Sequence, residues 1–231
     1  MTDTPRHLVQ QVRHLTDTTF VIRVDRHAFC ARAGQHVTLG LHRGAINREF
    51  SIYSAPDDPH LEFLIIARPG SETACALQKA QPGDEVDLAG PYGEFFIARP
   101  EDRSRRYLFV ATGVGIAPFH CFVRHYPGLD YRLVHGVARL ADCYEMADYE
   151  RARYVACVSR EAGGDYSGRV TVPVLWDRRT GTIVNNESAE IMRILNREFD
   201  AYGNAALDLC PDELRDEIDA VNAYVYDRVN N

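Results

Sequence analysis

The chain opens with short apolar runs separated by polar turns. Leu8–Val12, Thr19–Val24, His36–Leu41, Ser51–Ser54, Leu61–Ile66 and Glu85–Ala89 are rich in β-branched and aromatic residues, as half-buried strands are. Turn chemistry falls between them at Ala33-Gly34, Pro56-Asp57-Asp58-Pro59 and Gln81-Pro82-Gly83-Asp84. Short strands so closely spaced predict a small antiparallel barrel. After residue 100 the pattern changes to more continuous apolar runs, Arg106–Thr112, Tyr131–Val137 and Tyr154–Ser159, with a helical Phe119–His125 behind the first. That order predicts a β-α-β-α-β start to a doubly wound parallel sheet. After Thr171 it changes again. Val172–Asp177 and Thr182–Val184 predict a hairpin, with Pro173 at an edge or in a cis bond. Ala189–Phe199 places Ile191, Ile194 and Leu195 at near-helical spacing, and Pro211–Val229 does the same with Leu214, Ile218, Val221 and Val225. The expected fold class is therefore β plus α/β: a barrel over 1–102, an α/β half-domain over 103–171, and a mostly helical segment over 172–231.

Composition narrows the class further. The chain has 231 residues, 45% hydrophobic and 26% charged, in the range of globular proteins. Its net charge of −7 argues against nonspecific nucleic-acid binding. No apolar run approaches the roughly 20 residues of a membrane span, and the N-terminal stretch has no signal-peptide core; the expectation is a cytoplasmic protein and a monomer. The six cysteines are scattered without a C-x-x-C pair, so neither zinc nor an iron–sulfur cluster is expected.

Candidate chemistry follows the same order. Arg48 and Phe50 lie two apart on a predicted strand and share a face. A guanidinium offers a fork of charged donors to a pyrophosphate, and an aromatic ring can stack on an isoalloxazine. Ser51 faces the other way and can reach a ring nitrogen. Gly70 then turns the chain into a short helical stretch where Thr73 adds a hydroxyl near an N-terminal anion site. Gly90-Pro91-Tyr92-Gly93-Glu94-Phe95 follows as a rigid turn with aromatics. Downstream, Thr112-Gly113-Val114-Gly115-Ile116-Ala117-Pro118 joins the first parallel strand to a helix, which makes a phosphate cradle. Arg139 follows the second strand, Ser159-Arg160 follows the third, and Arg169 lies shortly beyond. Arginines rather than a carboxylate at these loop ends favour a 2′-phosphate, hence NADP over NAD.

In this order the motifs resemble the ferredoxin–NADP reductase family over roughly residues 5–171. The resemblance implies an FAD-binding barrel followed by an NADP-binding domain. Arg48 and Thr73 would hold the FAD pyrophosphate, Phe50 would pack on the flavin, and Ser51 would lie near its reactive nitrogen, making Ser51 and Phe50 the catalytic candidates. Gly70, Thr112, Gly113, Gly115 and Pro118 would shape the cofactor turns. Arg139, Ser159, Arg160 and Arg169 would grip the 2′-phosphate, and Tyr144 would lie near the adenine. The family usually has tyrosine where this chain has Phe50. Electrons would pass from NADPH through flavin to a ferredoxin or flavodoxin.

Tyr166-Ser167-Gly168-Arg169-Val170-Thr171, Val172-Pro173-Val174-Leu175-Trp176-Asp177 and Val184-Asn185-Asn186-Glu187-Ser188 resemble instead the glutathionyl-hydroquinone reductase branch of the glutathione transferases, over roughly 166–231. There Pro173 would be a cis-proline, Val172 would pair with glutathione, and Glu187-Ser188 would bind its γ-glutamyl end. Each resemblance is incomplete. The Cys-Gly-Asn-Pro segment that closes the reductase family's nucleotide domain does not follow, and the transferases' cysteine-proline nucleophile motif is missing, since Cys210, which does precede a proline, lies after the supposed glutathione site. Three readings stand: an NADPH-dependent flavoenzyme, a hybrid that binds flavin with impaired NADPH turnover, and a glutathione-dependent transferase or reductase.

Overall fold

The computed structural model describes residues 6–161, 166–167, 175–177, 179–180, 182–185, 188–198, 208 and 210–229. It separates into two compact units, Met1–Val170 and Thr171–Asn231.

The first unit begins with six antiparallel strands: β1 (His7–His14), β2 (Thr19–Asp25), β3 (His36–Leu41), β4 (Arg48–Ser51), β5 (His60–Ile66) and β6 (Glu85–Tyr92). Their order in the sheet is β4-β3-β6-β1-β2-β5. The two outer strands are drawn together where the chain leaves β4. The Ile52 N–H donates to the Gln35 carbonyl on the β3 side, and the Tyr53 N–H donates to Glu62 of β5 at 2.8 Å. The Glu62 N–H returns a bond to the Ser54 hydroxyl, so the sheet curls toward a barrel. This accounts for a strand four residues long that starts earlier than the expected Ser51–Ser54: after Ser51 the backbone groups are already committed to two other strands.

Alternate side chains fill the barrel. Phe20, Ile22, Val24, Val37, Leu39, Leu61, Phe63 and Ile65 are all buried, and the short helix α1 (Glu72–Gln78) contributes Ala74 and Leu77 as a plug. Each such aliphatic or aromatic side chain stabilises the fold by about 1.5–3 kcal/mol relative to exposure.

Four parallel strands follow: β7 (Tyr107–Thr112), β8 (Tyr131–Val137), β9 (Tyr154–Val158) and the two-residue β10 (Tyr166–Ser167). They run in the order β10-β9-β8-β7. Helix α2 (Ala117–His125) makes the first crossover, with Pro118 in its opening turn, where a missing N–H costs no helical bond. The second crossover differs from the expected α-helix. It carries three single 3-10 turns, Leu140–Asp142, Met146–Asp148 and Arg151–Arg153, because its side chains and backbone are spent on specific polar contacts described below. Phe109, Ala111, Leu133, Tyr154, Cys121 and Phe122 pack with Val21, Ala33, Tyr53 and Leu64 of the barrel in one shared core.

The second unit holds the hairpin β11 (Leu175–Asp177) and β12 (Thr182–Asn185), helix α3 (Ser188–Glu198) and helix α4 (Arg215–Val229), the last preceded by a 3-10 turn at Asp212–Leu214. Ile191 is buried, but Met192, Leu195, Leu214 and Val221 are exposed. Among the described residues no helix is long and apolar enough to cross a membrane.

Candidate functional site

β4 lies at one margin of the barrel sheet, paired only with β3 in the register Leu39 to Arg48 and Val37 to Phe50. Arg48 is exposed, and its guanidinium makes no ion pair or hydrogen bond among the described residues. Phe50 rests against the barrel core while remaining half-buried. Ser51 stands opposite His36 and is also half-buried. The three residues therefore present an exposed cation, an aromatic surface and a small polar group along one strand. Gly70, in the turn ahead of α1, adopts φ +89°, and a Cβ there would meet nothing within 4 Å.

Thr73 departs from the expectation of a pyrophosphate ligand. It is 4% exposed, and its hydroxyl donates to the Ile46 carbonyl at 2.6 Å. That proton ties α1 to the loop ahead of β4, so Thr73 supports the position of Arg48 from behind.

The second group of candidate residues lies at the carboxyl end of the parallel sheet, where ligands of open α/β sheets bind. Thr112 ends β7 with an extended backbone and no side-chain cap bond. Gly113 takes φ +48°, and a Cβ on either Gly113 or Gly115 would meet nothing within 4 Å. The turn is thus open on its outer side. The loops after β8 and β9 are laced together: the Ser159 N–H donates to the Val137 carbonyl and the Arg160 N–H to the Ala138 carbonyl, both at 3.0 Å. The Ser159 hydroxyl also reaches Val137 at 3.2 Å. Arg139, Ser159 and Arg160 are exposed and share this end of the sheet with the glycine turn. Arg169, Pro173, Val172 and Glu187 lie outside the described residues. Tyr144 is not open to a ligand at this end: it is 4% exposed, and its hydroxyl bonds Thr19 of the barrel at 3.1 Å.

Two polar devices were not anticipated from the pattern. His135 on β8 is fully buried, with one ring nitrogen 2.8 Å from the Gly113 carbonyl and the other 2.6 Å from the Tyr154 hydroxyl. Burial lowers its pKa to about 4, so it is neutral near pH 7. The other device joins the barrel to the nucleotide-side sheet. His120 of α2 stacks on Tyr53 with ring centroids 3.7 Å apart. Its ring nitrogens reach the Tyr53 carbonyl at 2.9 Å and Asp148 at 3.0 Å. The Tyr53 carbonyl and the Asp148 carboxylate thus bracket the ring from its two nitrogens. The His120 bond holds the Asp148 carboxyl below its ordinary pKa. The Tyr53 hydroxyl donates to Glu145, which pairs with Arg13. A lone histidine in a helix and scattered acids gave no sequence signal for this network; it exists only once β1, the segment after β4, α2 and the second crossover meet.

Comparison with known proteins places both halves. Residues 8–97 match the oxidoreductase FAD-binding domain, and residues 122–198 match the glutathione S-transferase N-terminal domain. The flavodoxin/ferredoxin–NADP reductase of Escherichia coli (strain K12) is 28% identical over 202 residues, covering 80% of this chain and 82% of that one. A ferredoxin NADP+ reductase from Neisseria gonorrhoeae, solved with bound FAD and NADP, superposes with a TM-score of 0.61 at 23% identity, covering 71% and 72% of the two chains. The glutathionyl-hydroquinone reductase YqjG of Escherichia coli (strain K12) is 59% identical over 66 residues, 29% of this chain. This chain spans only 20% of that relative.

Barrel, parallel sheet and these matches define an FAD-binding oxidoreductase fold of the ferredoxin–NADP reductase type. More particularly, the chain is a hybrid in its resemblances, reductase-like through the barrel and the start of the parallel sheet, and similar to glutathionyl-hydroquinone reductases toward its C-terminus. The transferase match begins at residue 122, earlier than the expected 166, and so overlaps strands β8 and β9 of the first unit.

Proposed function

We propose that this chain is a flavoenzyme that takes electrons from NADPH through FAD and passes them to a ferredoxin- or flavodoxin-type acceptor. FAD would supply the chemistry, exchanging a two-electron donor for a one-electron acceptor. The chain's own residues would bind and orient. Arg48 would hold the FAD pyrophosphate as a charged fork, Phe50 would offer a stacking surface, and Ser51 a nearby polar contact. The open turn at Gly113 and Gly115 would admit the dinucleotide phosphates, and Arg139, Ser159 and Arg160 would take the 2′-phosphate, with Arg169 proposed beside them. Orientation of donor and flavin against one another is the part of the rate that protein supplies.

The observation that carries this reading is the exposed Arg48, without an ion pair or side-chain hydrogen bond among the described residues, on the same strand as half-buried Phe50, together with a glycine turn that has open space where side chains would stand. The test is direct: the purified protein should carry or take up FAD, and NADPH should drive reduction of a dye. A colourless protein that takes up no added FAD sinks the proposal.

A second reading is favoured by one specific feature. The parallel sheet steps in a single direction, and among the described residues β7 pairs only with β8. A doubly wound sheet binds its dinucleotide where the strand order reverses. In this reading the protein binds flavin and the adenine end of NADPH but turns over slowly. Flavin-replete protein with slow or absent reduction by NADPH distinguishes it from the first.

A further inference from the structure

The glycine turn after β7 is held from below by a histidine that the proposed chemistry does not use. His135 sits on β8 with no exposed surface. The Gly113 carbonyl can only accept, so His135 Nε2 carries the proton and donates to it at 2.8 Å. Nδ1 then accepts from the Tyr154 hydroxyl at 2.6 Å. Tyr154, 1% exposed on β9, thereby holds the far side of the ring.

This bond fixes more than a carbonyl. In a trans peptide the C=O and the next N–H point to opposite sides. With the Gly113 oxygen drawn down onto the sheet, the Val114 N–H is turned outward. It belongs to the first residues of a 3-10 turn spanning Gly113–Ile116, whose opening N–H groups have no partner inside the turn. In the same turn a Cβ at Gly113 or Gly115 would meet nothing within 4 Å, which leaves space for a ligand to approach the backbone.

We propose that His135, braced by Tyr154, is a positioning residue that aims the Val114 N–H at the pyrophosphate of a bound dinucleotide. The role rests on the NADPH reading above, and it adds a buried residue that never touches the ligand. It is specific in what it should affect. A ligand with a pyrophosphate uses the aimed amide; adenosine 2′-monophosphate, which has none, relies on the arginine loops alone.

Isothermal titration of the FAD-loaded protein with NADP+ and with adenosine 2′-monophosphate tests this. His135→Phe keeps a ring but loses the donor, and should weaken NADP+ about tenfold, the range of one hydrogen bond to a charged group, while leaving adenosine 2′-monophosphate unchanged. His135→Gln, which retains a donor, should recover most of the loss. Tyr154→Phe, a milder change, should weaken NADP+ in the same selective way, and it serves if His135→Phe does not fold. The 15N shifts of the His135 ring should report a proton on Nε2. Unchanged NADP+ affinity in these variants, equal weakening of both ligands, or a proton on Nδ1 overturns the role. Wild-type protein that binds neither ligand overturns the NADPH reading itself, and the role with it.

Discussion

Arg48 is exposed on β4 with the neighbouring Phe50 half-buried, so its loss should harm binding more than folding. Arg48→Ala should weaken FAD about 10–100-fold, as expected for a charge-assisted bond to an anion, with the thermal midpoint of the flavin-free protein unchanged; flavin fluorescence quenching measures the first and calorimetry the second. His135 gives a pH prediction of defined sign. Its folded pKa is lowered from 6.5 to about 4 by burial. The folded state therefore takes up a proton less readily than the unfolded state, and the stability it contributes is full above about 6.5 and is lost as pH falls toward 4. The loss is about 3 kcal/mol at 1.36 kcal/mol per unit. Denaturant titrations from pH 7 to 4 should show that decline, and His135→Phe should flatten it. Asp148, with its pKa lowered by His120, adds a smaller effect in the same direction at lower pH, limited by solvent screening at a side chain that is 40% exposed. Arg48 and Phe50 stood out as candidates because a charge two residues from an aromatic on a strand is itself a chemical pattern. Thr73 misled because a hydroxyl at a helix start suits an anion and a carbonyl equally, and only the approach of Ile46 decides between them. His135 gave no signal because its partners come from two other strands.

Strands and turns were legible wherever apolar runs were long enough to fix their own face. β2, β3 and β5 fall close to their expected bounds. β4 shifted because its ladder is cut short by the crossing of residues 52–54 to β5. The second crossover lost its expected helix because Glu145, Asp148 and Tyr144 are each held by tertiary partners, which outweigh local helix preference. The turn before β3 offers an element-scale test. Gly34 has φ +97°, and a Cβ there would lie 1.9 Å from the Phe95 carbonyl and 2.8 Å from the Phe122 ring. Gly34→Ala should therefore destabilise the first unit by at least about 2 kcal/mol, from backbone strain and overpacking together, by pushing the barrel turn against α2. Chemical denaturation measures it, and an unchanged midpoint would contradict the packing described.

At the scale of the molecule, the two units are unequal. The first has two buried clusters of apolar residues, whereas the apolar residues Leu214 and Val221 of α4 and its preceding turn are 45% and 60% exposed. A helix gains most of its stability from burying such a stripe. Amide exchange should accordingly be fast in α4 and slow in β8 of the same chain; equal protection would contradict this difference. The hybrid character was legible because two different sets of motifs abut near residue 166, but the consequence for turnover was not, since it depends on which strand lies beyond β7. That question and the central claim meet in one measurement: the flavin absorbance spectrum of the purified protein before and after NADPH is added without oxygen. The account predicts an oxidised flavin spectrum with FAD bound, and bleaching of the flavin band once NADPH is present. A protein that shows no flavin band even after incubation with FAD would contradict it.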